Sequence, residues 1–116
     1  NLGQAMAAFR EALKSVPGAW ERTTVMTYSE FGRTASENDS GGTDHGTAAP
    51  HFLMGGKVVG GHQGKPVSLT QLDYGDLAYT TDYRSLYAGV AQQWFGYEKP
   101  FLSEKKVTPL QGLFKA

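Results

Sequence analysis

Glycine is spread unevenly along this chain, and that unevenness constrains what the chain can fold into. Most of the fifteen glycines among its 116 residues fall between Gly32 and Gly75. Glycine loses the most backbone freedom in a helix or strand and suits sharp reversals. The middle of the chain is therefore expected to be loop-dominated, with the regular elements toward the two ends.

The ends carry the periodicity. Leu2, Met6, Phe9, Leu13 and Val16 recur at helical spacing and form one apolar stripe. Pro17-Gly18 is expected to stop that helix, because proline cannot continue the hydrogen-bond ladder. Thr23 to Tyr28 is a short run of β-branched and aromatic residues, which predicts a strand. A helix, a tight turn and a buried-looking strand make half of an α/β unit. A second helix is expected to open near Thr81-Asp82, whose side chains can cap free amides, and to end at Gly96. Its apolar face is Tyr83, Leu86, Tyr87, Val90, Ala91 and Trp94. This stripe reads as core, not as a cofactor box. Residues 100–116 hold scattered anchors (Phe101, Leu102, Leu110, Leu113, Phe114) and read as a tail draped over the core.

Residues 32–50 are rich in Gly, Ser, Thr, Asn and Asp. They read as a long irregular loop beyond the strand's carboxyl end, where open α/β sheets place their ligands. His51 to Met54 is a second strand candidate, closed by Gly55-Gly56. Val58-Val59 and Val67 to Leu69 are weaker candidates, read as a small hairpin or edge excursion. No internal repeat and no separable second domain is visible.

Bulk properties narrow the function classes. The length suits one small domain, or a piece of a larger one, with a lean core. Eleven basic residues balance eleven acidic ones, which argues against a nucleic-acid partner. No apolar run approaches the roughly 20 residues that span a bilayer. There are no cysteines, so disulfides, zinc-thiolate sites and cysteine nucleophiles are excluded. No signal peptide is visible, but the sequence opens at Asn1 and not at Met, so that observation does not locate the protein.

The candidate chemistry centres on Gly41-Gly42-Thr43-Asp44-His45-Gly46. A carboxylate and a neutral imidazole both suit zinc, and also manganese or iron. In an irregular loop adjacent side chains can aim at one cavity, whereas in a strand they point to opposite faces. The other reading is a surface loop, with Asp44 in an Asx-turn and His45 solvated. Glu30 follows the strand directly and could be a ligand or general base. Arg33 could clamp a phosphate, sulfate or carboxylate with its planar fork. Alternatively, Glu30 and Arg33 pair with each other and pin the loop. His51 is read as a sheet or core histidine or a ligand, and His62 as solvated. Asp73 and Asp76 are spare carboxylates, and Asp82 is most simply a helix cap.

Four strings in order carry a resemblance: Ser29 to Thr34, Gly41 to Gly46, His51 to Gly56, and Thr81 to Gly96. Together they resemble the exported bacterial family known as domain of unknown function 1501. That family in turn is similar to the alkaline phosphatase and sulfatase superfamily. The resemblance implies an α/β fold, with this chain as the C-terminal portion of a doubly wound, mostly parallel sheet with flanking helices and a long glycine-rich loop.

The resemblance also implies a divalent metal (zinc, manganese or calcium) held by His45, Glu30 and Asp44, with Arg33 on the anionic oxygens. Phe31 stands where the superfamily has a ligating histidine. The nucleophile would lie in a missing N-terminal part of the same protein, and this segment alone would be inactive. The intact protein would hydrolyse phosphate or sulfate esters and be exported to the periplasm or cell envelope. The alternative is a non-catalytic relative that binds an anionic small molecule, a glycan or an envelope component beside a vestigial metal site. A third reading has Asp44 and His45 holding their loop by hydrogen bonds alone.

Overall fold

The computed structural model describes residues 1–99 and 107–116. The architecture is mixed α/β. Helix α1 (Leu2–Lys14) leads to strand β1 (Thr24–Met26), and then to β2 (Gly32–Glu37) and β3 (Thr43–Gly46). Strands β4 (Leu53–Gly55), β5 (Leu72–Asp73) and β6 (Asp76–Leu77) precede helix α2 (Tyr83–Phe95). The strands form three two-stranded antiparallel pairs, β1–β4, β2–β3 and β5–β6. No parallel pairing occurs among the described residues.

Both helices form where the apolar spacing places them, and their caps explain their limits. The Asn1 side chain accepts the backbone N–H of Gln4, one of the free amides of the first turn of α1. At the other end Ser15 caps the helix, two residues ahead of Pro17, and Val16 lies beyond it. Asp82 caps α2 by accepting the N–H of Arg84 at 2.9 Å. Gly96 ends α2 in the left-handed conformation, at φ 68°.

The middle of the chain corrects the expectation of a long loop over 32–50. It is a hairpin of β2 and β3, reversing at Gly41-Gly42 with Gly41 at φ 74°. Gly32 and Gly46 pair across it. They serve close approach rather than reversal: a Cβ on Gly32 would sit 1.9 Å from the carbonyl oxygen of Ala48. A composition poor in β-formers therefore hides a strand pair whose requirement is absence of bulk.

The other strand expectations shift. Strand β4 begins at Leu53, not at His51, and pairs Met54 with Val25. Val58 makes only an isolated bridge to Phe114, and Val67 to Leu69 is not a strand. The small hairpin lies further along, at β5–β6. Tyr74 (φ 50°) and Gly75 (φ 83°) supply the two positive angles of a tight two-residue turn.

The buried apolar core among the described residues is small: Ala48, Ala88, Val90 and Leu113. As expected of the tail, residues 107–116 fold back onto α2, while Phe101 and Leu102 lie outside the described residues. Leu113 is 1% exposed. The Gln93 amide fixes the tail from both sides: it donates to the Leu110 carbonyl at 2.7 Å and accepts the N–H of Leu113 at 3.0 Å. Gly89 admits the tail, since a Cβ there would lie 2.4 Å from the Leu110 carbonyl oxygen.

Candidate functional site

The β2–β3 register decides which candidates meet. Arg33 is the cross-strand partner of His45, so both side chains stand on one face of the hairpin. Phe31 covers that face. Its ring stacks on the His45 imidazole with centroids 3.6 Å apart and planes 15° apart. The Arg33 guanidinium carbon lies 5.1 Å from the same ring's centroid, within cation–π range. One guanidinium nitrogen, Nη1, donates to the Thr43 carbonyl at 2.9 Å. That bond uses one of five N–H donors and leaves the rest of the fork available. The His45 ring nitrogens make no hydrogen bond to the described residues.

Asp44 points elsewhere. Side chains alternate along a strand, so the placement of residue 44 in β3 sends its carboxylate to the face opposite His45. There Asp44 Oδ1 accepts the Asn38 amide at 3.0 Å. Asn38 also accepts the N–H groups of Ser40 and Gly42, both at 3.0 Å. Between Arg33 and Glu37 the ladder is irregular. The Asp44 N–H donates instead to the Thr34 hydroxyl at 3.1 Å. The Asx-turn of this loop is therefore made by Asn38, with Asp44 as its brace. Nothing in the linear pattern singles out Asn38, one polar residue among many in its stretch.

Glu30 is exposed and forms no ion pair with Arg33 among the described residues. It lines a cleft of about 290 Å³ together with Ser29, Phe31, His51, Tyr83 and Tyr87. His51 is half-buried there, and its Nδ1 lies 3.1 Å from the Thr27 carbonyl oxygen. A carbonyl can only accept, so in the neutral imidazole Nδ1 carries the proton and Nε2 presents a lone pair. His62 is exposed in its glycine-rich turn.

Glu30, Asp44 and His45 are not gathered into one metal-holding group. No cluster of three or more His, Cys, Asp or Glu able to hold a metal occurs among the described residues. Asp76 accepts its neighbour's N–H, from Leu77 at 2.9 Å. Asp82 pairs with Arg84 as well as capping α2, and the hydrogen bond between them raises the Arg84 guanidinium further above its ordinary range. A larger hollow of about 440 Å³ lies between Arg22, Lys57, Trp94 and Phe114, and none of the sequence candidates lines it.

The chain matches the family model described as "Protein of unknown function (DUF1501)" over residues 1–104, and it belongs to that family. No curated protein and no solved structure matches it. No helix among the described residues is long and apolar enough to cross a membrane.

Proposed function

We propose that this chain supplies the anion-binding and metal-ligating face of a phosphate- or sulfate-ester hydrolase. The observation that carries the reading is the layered contact of Arg33, Phe31 and His45 on one face of the β2–β3 hairpin. Stacking fixes the plane of the imidazole and leaves its nitrogens open. The guanidinium beside it offers paired donors suited to the oxygens of a tetrahedral anion. Phe31 would thus act as a platform for His45, at a position that the proposed likeness to the alkaline phosphatase and sulfatase superfamily aligns with a ligand.

His45 would give a ring nitrogen, and Glu30 a carboxylate, to a divalent metal such as zinc, manganese or calcium. Asp44 would support the hairpin through Asn38. Bound there, the metal would polarise the ester and favour the attacking group. Arg33 would bind and orient the anionic oxygens. The remaining ligands and the nucleophile would come from another part of the same protein, exported to the periplasm or cell envelope.

The open surface supports a larger whole. The chain exposes 8641 Å², whereas a self-contained domain of its mass exposes about 6,200 Å². Its radius of gyration is 16.4 Å, against about 13 Å for a compact domain of this length. Completion of a doubly wound parallel sheet by the rest of the polypeptide would cover that excess. A second reading, a non-catalytic binding protein, is favoured by the scattered donors alone.

The test is turnover by the intact protein on 4-nitrophenyl phosphate and 4-nitrophenyl sulfate, with zinc, manganese or calcium supplied. The hydrolase reading expects metal-dependent release of nitrophenol that falls at least about 100-fold in Arg33→Ala. Bound metal without turnover on either ester would leave the binding-protein reading in its place.

A further inference from the structure

The cleft beside Glu30 has a polarity that the anion-binding face does not share. Three of its neutral polar side chains, Ser29, Thr47 and His51, each face a backbone carbonyl with a proton-bearing atom. The Ser29 hydroxyl donates to the Phe31 carbonyl at 2.7 Å. The Thr47 hydroxyl donates to the Leu77 carbonyl, also at 2.7 Å. His51 Nδ1–H faces the Thr27 carbonyl. What these three groups turn toward a ligand is lone pairs, the Glu30 carboxylate adds acceptor capacity beyond any oxygen it gives a metal, and the Tyr83 and Tyr87 hydroxyls can donate or accept. No lysine or arginine among the described residues lines the cleft.

A phosphate or sulfate group, which offers only acceptors, would meet the Glu30 carboxylate here and no cationic side chain among the described lining residues. An ammonium group concentrates its donors at one point, while these acceptors sit on three separate segments of the chain. Several hydroxyl donors arranged around one small body match them better. The wall is aromatic: Tyr83 and Tyr87, one turn apart on α2, meet edge to face at 5.5 Å and 74°. Tyr83 is 59% exposed, and such a ring can pack against the C–H face of a saturated ring.

We infer that this cleft binds a hydroxyl-rich saturated ring, a sugar, through Glu30, His51 Nε2 and the Tyr83–Tyr87 wall. Phe31 belongs both to the cleft and to the anion-binding face, so the sugar would be the alcohol side of the ester. That link rests on the hydrolase reading, whereas binding of the sugar itself does not.

The experiment is saturation-transfer NMR on the intact protein with the methyl glycosides of glucose, galactose, mannose and N-acetylglucosamine. Choline and inorganic phosphate are run as separate probes. At least one glycoside is expected to bind, and Tyr83→Ser and His51→Phe should each weaken it at least about ten-fold. Lys14→Ala, at the end of α1 and outside the cleft, should leave glycoside binding unchanged. Tyr83 is exposed, so its variant keeps the test open even where His51→Phe perturbs folding.

The inference is overturned if no glycoside binds at concentrations on the order of tens of millimolar. It is equally overturned if choline or phosphate binds at Tyr83 while the glycosides do not, or if the Tyr83 variant binds like the wild type. A protein that binds glycosides but hydrolyses no ester would sink the hydrolase reading and leave the cleft assigned.

Discussion

Helices α1 and α2 are each 13 residues long, and both carry an apolar stripe. The stripe of α1 is the cleaner of the two, yet α1 buries no residue, while α2 buries Ala88, Gly89 and Val90. Leu2 and Phe9 stand 57% and 48% exposed on α1. Periodicity thus reports that a face is built for burial; it does not say where the covering surface is. The small residues of α2 let the tail come close, and contact of backbone with backbone is what buries that helix.

That contrast can be broken at either helix. The largest effect is expected from Leu113→Ala, which truncates the largest fully buried side chain among the described residues. It should cost about 2–5 kcal/mol, read from the shift of a urea unfolding curve. Gly89→Ala comes next. Its methyl would meet the Leu110 carbonyl, so a loss of about 1–3 kcal/mol is expected despite the better helix propensity of alanine. A gain in melting temperature would show that the tail is not held as described. Asp82→Ala removes the α2 cap and should cost about 1 kcal/mol in the same assay.

The smallest effect belongs to α1. In the 116-residue chain Phe9→Ala should change stability by less than about 0.5 kcal/mol. Repeated in the intact protein, the same substitution sharpens the comparison. Covering of the α1 face by the rest of the polypeptide would raise the cost toward about 3 kcal/mol. An unchanged small effect there would mean that α1 stays bare.

The same division explains what the sequence made legible. Both helices, their Asp82 and Gly96 limits, the strand near Val25 and the returning tail follow from local spacing and capping chemistry. The β2–β3 hairpin does not. Strand β2 is written in Gly, Arg, Thr, Ala, Ser and Glu and β3 in Thr, Asp, His and Gly, compositions with little β-preference, and the close approach of Gly32 to Ala48 requires the absence of a side chain there. Once residues 43–46 form a strand, the adjacency of Asp44 and His45 separates them where a loop could have joined them. His45 gains Arg33 and Phe31 as neighbours, contacts set by register across the turn. Asn38 makes its Asx-turn with Ser40 and Gly42, but the Asp44 brace that marks it out lies six residues away, across the turn.

The central claim is that His45, held flat against Phe31, gives its free nitrogen to a metal in the intact protein. Elemental analysis of purified intact protein, wild type beside His45→Ala, tests it most directly. The account expects a stoichiometric divalent metal in the wild type and its loss in the variant, with stability otherwise retained. A wild type without metal, or a variant that keeps the full complement, would contradict it.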